Sequence, residues 1–108
     1  MAALPLEMLE LESMASGNRS IRLTRSVTWE MFGSYAKHLL NALDGEVIAT
    51  ADSAPERVWT ALIGGGRFWL AFDDFGLGVS LEPCDDQAAA KVVEIRARLL
   101  ELRGEGAG

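Results

Sequence analysis

Residues 57–72 have the sequence RVWTALIGGGRFWLAF, in which two apolar runs flank three consecutive glycines. β-Branched and aromatic residues such as Val, Ile, Thr, Trp and Phe are typical of strands. A short glycine loop between two such runs predicts a β-hairpin, because glycine readily adopts the positive φ angles that tight turns require. We therefore expect strands at 57–63 and 67–72, joined by a three-residue loop at 64–66.

A three-residue loop would place Ile63 opposite Arg67, and alternation along the strands then sorts the side chains onto two faces. The predicted core face carries Val58, Thr60, Leu62, Phe68, Leu70 and Phe72. The second face carries Trp59, Ala61, Ile63, Arg67, Trp69 and Ala71. A face exposed to water is expected to be mainly polar, yet this second face is mainly apolar.

The second face is therefore a candidate interaction surface, since apolar patches and tryptophans are both associated with binding sites. Three explanations stay open at this stage. The face could be covered internally by residues 1–18 or by a helix, it could form a homodimer, or it could bind a different protein partner.

The rest of the chain predicts an α+β domain. Ser20–Arg25 alternates like a strand, and residues 29–43 form an apolar stripe at helical spacing, with Thr28 as N-cap and Gly45 as the left-handed residue at its end. Short strands follow at 46–50 and 79–82. Asp85 or Asp86 caps a last amphipathic helix that is expected to end at Gly104.

The predicted order is β-α-β-β-β-β-α: an antiparallel meander sheet of four to five strands with two amphipathic helices packed on one face. A single domain is expected at 19–104, followed by a disordered tail at 105–108. Residues 1–18 differ in composition, and they are consistent with a flexible N-terminal extension, a short edge strand or a helical turn.

Composition excludes several classes of protein. The chain has 108 residues, 49% of them hydrophobic, which argues against disorder. Its 16 acidic and 10 basic residues give a net charge of −6, which disfavours nucleic acid and suits a basic partner. No apolar run is long enough for a membrane span. Cys84 is the only cysteine, so we expect a cytoplasmic protein without an internal disulfide.

Acidic residues suggest a second candidate site. Asp73, Asp74, Asp85 and Asp86, with Glu82, are predicted to lie around one end of the sheet. They could hold a divalent cation or dock a basic partner, although aspartates also occur in turns and at N-caps for local reasons.

The only histidine, His38, and Cys84 carry no catalytic signature, and Cys84 is expected to be buried. The triglycine is followed by a strand rather than a helix, so it is not a phosphate loop. No cofactor is predicted.

Several segments carry a resemblance to known sequences. Asp44-Gly45-Glu46-Val47, Trp59, Phe72-Asp73-Asp74 and Val79-Ser80-Leu81-Glu82-Pro83 resemble a pattern of small uncharacterised bacterial proteins, a family of unknown function. That pattern has a glycine where this chain has Asp44. The family has no assigned catalytic residues, so the resemblance implies no activity. Size, acidity and the order of elements are also similar to bacterial immunity proteins and to type III secretion chaperones, although the chaperones begin with a helix.

We therefore expect a non-catalytic protein-interaction module, either a homodimer or the binder of a protein partner. Neutralisation of a basic toxin, as immunity proteins do, is one specific version of this hypothesis. One alternative is a small-ligand-binding domain or enzyme with a pocket between sheet and helices. The other is an acidic domain that binds a divalent metal.

Overall fold

The computed structural model describes residues 4–107, with side chains described for residues 4–104. Residues 1–3 of the predicted extension and Gly108 of the predicted tail lie outside the described residues. The strands are β1 (Glu10–Ser13), β2 (Arg19–Thr24), β3 (Glu46–Ser53), β4 (Glu56–Ile63), β5 (Gly66–Asp73) and β6 (Gly78–Pro83). The helices are α1 (Phe32–Ala42) and α2 (Asp86–Ala107).

The α+β class and the antiparallel sheet with two helices are confirmed. The sheet order is β1-β2-β6-β5-β4-β3, so β3 to β6 form the predicted meander and β2 joins it beside β6. The prediction of four to five strands was wrong, because the sheet has six. The additional strand is β1, in which only Leu11 is half-buried. A strand with one apolar position carries no alternation by which the sequence could reveal it.

Residues 4–13 are part of the domain and help to close its core. Leu6 and Leu9 are 3% and 1% exposed. The Glu7 carboxylate accepts hydrogen bonds from the Thr24 hydroxyl at 2.7 Å and the Arg25 backbone N–H at 2.8 Å. The Arg96 guanidinium of α2 donates to the Leu9 carbonyl at 2.6 Å. These contacts join the N-terminal segment to the β2 end and to α2.

Helix α1 begins later than predicted, at Phe32 rather than residue 29. Thr28 begins a turn before the helix, in which its hydroxyl accepts the Met31 N–H at 3.4 Å, as predicted, and its carbonyl accepts the Phe32 N–H at 3.1 Å. The left-handed residue after the helix is Asp44, with φ of 55°, and not Gly45 as predicted. Gly45 has a different role, because a Cβ there would lie 2.9 Å from both Ile63 and the Leu62 carbonyl.

Helix α2 is capped as predicted, with the Ala88 N–H donating to Asp85 Oδ1 at 2.7 Å. One face of α2 was predicted to carry Ala88, Val92, Ile95, Leu99 and Leu102; the first four are buried and Leu102 is half-buried against the core. The helix continues past Gly104 to Ala107. One glycine costs a helix only about 1 kcal/mol relative to alanine, so Gly104 does not have to end it.

Candidate functional site: the open face of the sheet

The triglycine forms a two-residue turn, and the predicted hairpin register was therefore wrong by one residue. Gly64 and Gly65 have φ of +56° and +86°, and Ile63 pairs with Gly66. Two consecutive positive φ angles are what the common two-residue hairpin turn requires. Gly66 belongs to β5, where a Cβ would lie 2.7 Å from the Ala88 Cα. Two glycines thus form the turn and the third lets α2 approach the sheet.

The shifted register places the two hairpin tryptophans on opposite sides of the sheet. Trp59 pairs with Leu70 and faces the helices, where it is 7% exposed. Trp69 pairs with Thr60 on the other side and is 44% exposed. Because a slip of one residue inverts a whole strand, every β4 position was assigned to the wrong face, whereas the β5 positions were right. Ala61 and Ile63 are buried in the core, while Arg67 and Trp69 lie outside.

Trp59 belongs to a core cluster that sequence reasoning missed. Its ring meets Phe32 of α1 edge-on, with centroids 5.3 Å apart, and its Nε1–H donates to Asp52 Oδ1 at 3.0 Å. The guanidinium of Arg57 lies 5.1–5.4 Å from the ring centres of Trp29, Phe32 and Trp59. Trp59 is therefore buried within the chain, on the side of the sheet opposite to the one predicted.

Asp52 holds Arg57 in this aromatic cluster. Arg57 Nε and Nη2 donate to the two carboxylate oxygens at 3.0 and 3.2 Å, and Nη1 donates to the Trp29 carbonyl at 2.8 Å. The hydrogen bond from Arg57 lowers the pKa of Asp52, against the opposing effect of burial and with a further contribution from Trp59. The signal missed in the sequence was Asp52 at the end of an edge strand, paired with Arg57 of the next strand.

The side of the sheet opposite the helices, which we call the open face, carries Trp69 at its centre. Within residues 4–104 both helices pack on the other side, so no described helix covers it. Across the strands, Trp69 is flanked by Thr60 and Glu82. Half-buried side chains of Val58, Leu62 and Ala71 lie on the same face. An exposed indole next to aliphatic side chains forms an apolar centre.

The border of the open face is acidic. Strand pairing places six carboxylates on this side and two arginines, Arg22 and Arg67. The carboxylates are those of Glu10, Glu12, Glu46, Glu56, Asp73 and Glu82. One of the arginines is already paired, since Arg22 Nη1 lies 3.4 Å from Glu12 Oε2. The face thus has an excess of four negative charges.

A shallow concavity of about 280 Å³ lies in the acidic part of the open face. Its lining includes Arg22, Glu56, Asp73, Leu77 and Glu82. Arg22 Nη2 donates to the Leu77 carbonyl at 2.6 Å, and its buried Nε has no hydrogen-bond partner among the described residues. Apart from Arg22 the polar groups here are carboxylates and serines, so the concavity suits a cationic group rather than an anion.

The predicted acidic end of the sheet does not exist as one cluster. Asp73 pairs with Gly78 at one end of β6, whereas Asp85 and Asp86 follow Pro83 at the other end. The two pairs are separated by the length of that strand, roughly 17 Å at a rise of 3.4 Å per residue. Residues 4–104 contain no group of three ligands placed to hold a metal ion.

Asp73 and Asp85 each accept hydrogen bonds from backbone N–H groups. Asp73 Oδ1 accepts the Phe75 N–H at 2.7 Å within a turn. Asp85 caps α2 and also accepts the Arg67 N–H at 3.3 Å.

The prediction of a buried cysteine was wrong, because Cys84 is exposed. Desolvation, followed by the charges of Asp85 and Glu82, raises the pKa of its thiol, so the thiolate is disfavoured. His38 is also exposed, on α1.

A model of a protein family of unknown function matches residues 9–101, a range that includes all of the sheet and most of α2. No curated protein and no solved structure matches the chain. Neither described helix is both long and apolar enough to cross a membrane.

Proposed function

The chain belongs to the family described as "Protein of unknown function (DUF3630)", and from that premise we propose that it is a non-catalytic module that binds a basic protein partner through the open face. The observation that carries the proposal is Trp69, a tryptophan 44% exposed at the centre of a sheet face on which neither described helix packs. Large aromatic side chains of this kind supply much of the binding energy of protein interfaces.

Trp69 has the surroundings of an interface anchor. It is surrounded by the half-buried side chains of Val58, Leu62 and Ala71. Together they form the apolar centre of the face, which a partner could desolvate along with the indole. Strands hold these side chains, so little conformational entropy would be lost on binding. A rigid apolar centre with a charged border is the usual arrangement of a protein-binding surface.

The charges of the open face favour a basic partner over a second copy of the same face. Two copies that met through it would bring the excess carboxylates of both faces together, as a two-fold interface must. Like charges at an interface oppose association, whereas a basic surface would be attracted and guided to the site. Glu82, directly beside Trp69, is the carboxylate best placed to meet a lysine or arginine of the partner.

Inhibition of a basic toxin, as bacterial immunity proteins do, is the specific form of this proposal. It requires an acidic surface of fixed shape and no catalytic group of its own. The exposed thiol of Cys84 fits a reducing compartment, so we place this activity in the bacterial cytoplasm.

The test is capture of the partner followed by reconstitution. The tagged protein is used to capture partners from an extract of the source organism, and each captured protein is purified and titrated at low and high salt. We expect a basic partner whose affinity falls at high salt and falls at least tenfold with Trp69→Ser. Val93→Ser is the matched control, since Val93 is 56% exposed on α2, on the other side of the molecule.

A partner that binds Trp69→Ser as tightly as the wild type would contradict the open-face proposal. An acidic partner, or affinity insensitive to salt, would contradict the charge argument separately. Glu82→Gln distinguishes the two contributions, because it removes one charge and leaves the indole in place.

A further inference from the structure

The two edges of the sheet differ in how well they are protected against pairing with another strand. At one edge, β1 has only four residues, two of them glutamates. At the other edge, β3 has eight residues, Glu46–Ser53, and all but Val47 are exposed. Proteins usually protect an edge with short strands, charges or proline, because its backbone N–H and C=O groups can pair with another chain.

The middle of β3 has none of these protective residues. Residues 47–51 are Val-Ile-Ala-Thr-Ala, with no charge and no proline. Of the two charged residues in the strand, Glu46 is at its end and Asp52 is already bonded to Arg57 and Trp59. The one protective feature is a bulge between Val47 and Ala49, which leaves residues 49–53 in regular pairing with β4. Residues 49–51 are therefore both uncharged and regularly paired with β4, and they form the centre of an exposed edge.

We infer that β3 pairs antiparallel with β3 of a second copy, so that two sheets join into one of twelve strands. Residues that lie opposite each other in paired strands must point to the same side of the sheet. A two-fold axis perpendicular to the sheet meets this condition when Thr50 lies opposite Thr50 of the second copy. Ala49 then faces Ala51 of the second copy, and Asp52 faces Ile48.

This register agrees with the chemistry of the strand. It places no two like charges opposite each other, and it sets a Thr–Thr pair at the centre, which is a favourable cross-strand combination. The small side chains of Ala49 and Ala51 lie at the open-face side of the junction, where they obstruct nothing. A second copy is therefore a self-complementary occupant of the edge, as a two-fold interface requires.

The paired β3 edge is separate from the proposed partner surface. In the joined sheet both helix layers would lie on one side and both open faces on the other. The dimer would then present two copies of the Trp69 surface side by side, and a partner with two basic sites could bind both. The inference does not depend on the proposed function.

Molar mass in solution tests the inference. Light scattering after gel filtration is expected to give twice the 11.7 kDa of the chain at high protein concentration. Thr50→Lys would put two ammonium groups opposite each other and shift the mass to that of the monomer. Ser13→Lys is the matched control, an exposed position on the opposite edge that should keep the dimer. Trp69→Ser should also leave the protein dimeric. Failure of the dimer inference can therefore be distinguished from failure of the proposed function, which depends on Trp69.

A cross-link checks the register independently of stability. In a Cys84→Ser background, Thr50→Cys should form an intermolecular disulfide under mild oxidation, because opposite residues of paired strands lie about 5 Å apart. Ser13→Cys in the same background should not. A wild-type chain that stays monomeric overturns the inference, as does a Thr50→Lys variant that remains a folded dimer. A dimer that cross-links through Ser13→Cys instead would also overturn it.

Discussion

Gly66 of β5 and Ala88 of α2 lie in direct backbone contact. A Cβ on Gly66 would be 2.7 Å from the Ala88 Cα and 2.8 Å from its N. The atoms in contact belong to a helix backbone that cannot rotate away, so the helix itself would have to move. We expect Gly66→Ala to lower the free energy of unfolding by about 1–3 kcal/mol, the range typical of overpacked cores.

Urea denaturation measures this effect, and Gly104→Ala is its control. Gly104 also lies in α2, but a Cβ there meets nothing within 4 Å. Alanine is the better helix former, so Gly104→Ala should raise stability by up to about 1 kcal/mol. A Gly66→Ala variant as stable as the wild type would mean that α2 does not rest on the hairpin at this point.

The two hairpin tryptophans should respond oppositely to substitution. Trp59 is 7% exposed and packs on Phe32, so Trp59→Ala should lower the free energy of unfolding by about 3–5 kcal/mol. Trp69→Ala removes a side chain that is 44% exposed and should change it by less than about 1 kcal/mol. Similar losses of unfolding free energy in both variants would contradict the register and would mean that the two indoles lie on the same face.

Acrylamide quenching gives a second measure of the same register. The fluorescence of the Trp69→Phe variant should be quenched less than that of the wild type, since Trp69 is the exposed indole and both Trp29 and Trp59 are at least half-buried. The Trp59→Phe variant should be quenched at least as strongly as the wild type. The reverse order would place Trp59 on the surface.

These residues also show what the sequence could and could not predict. Strands β2 to β6, both helices and the core face of β5 followed from periodicity, because alternation along one strand needs no information from elsewhere. The face of β4 depended on whether the glycine loop had two or three residues. The turn has two residues, which leaves Gly66 in β5 against Ala88 of α2, a residue distant from it in the sequence. The Arg57 cluster and the separation of the acidic pairs likewise depend on tertiary placement.

Asp44 occupies a backbone conformation that favours glycine. Its φ of 55° lies in the left-handed region, which costs a residue with a side chain about 1–2 kcal/mol. We expect Asp44→Gly to be more stable than Asp44→Ala by about 1 kcal/mol in thermal or urea unfolding. Both variants lose the weak ion pair with Arg98 at 3.6 Å, so the comparison isolates the backbone. Equal stabilities would mean that residue 44 does not need the left-handed conformation.

Asp52 should make part of the stability of the domain dependent on pH. Its pKa is lowered in the folded state by the hydrogen bond from Arg57, so the folded protein binds this proton less readily than the unfolded chain. The resulting stabilisation is fully present above the unfolded pKa of about 3.9 and is lost as the pH falls through the lower, folded pKa. We expect Asp52→Asn to be less stable than the wild type at pH 7, and the difference between them to shrink as the pH is taken below 4. Urea denaturation midpoints across this pH range measure the difference in stability between the two proteins.

Glu7 also has a lowered pKa, but it is present in both proteins and its contribution cancels. A difference that stays constant down to pH 2 would mean that the Asp52 charge is not what holds Arg57 among the aromatic rings.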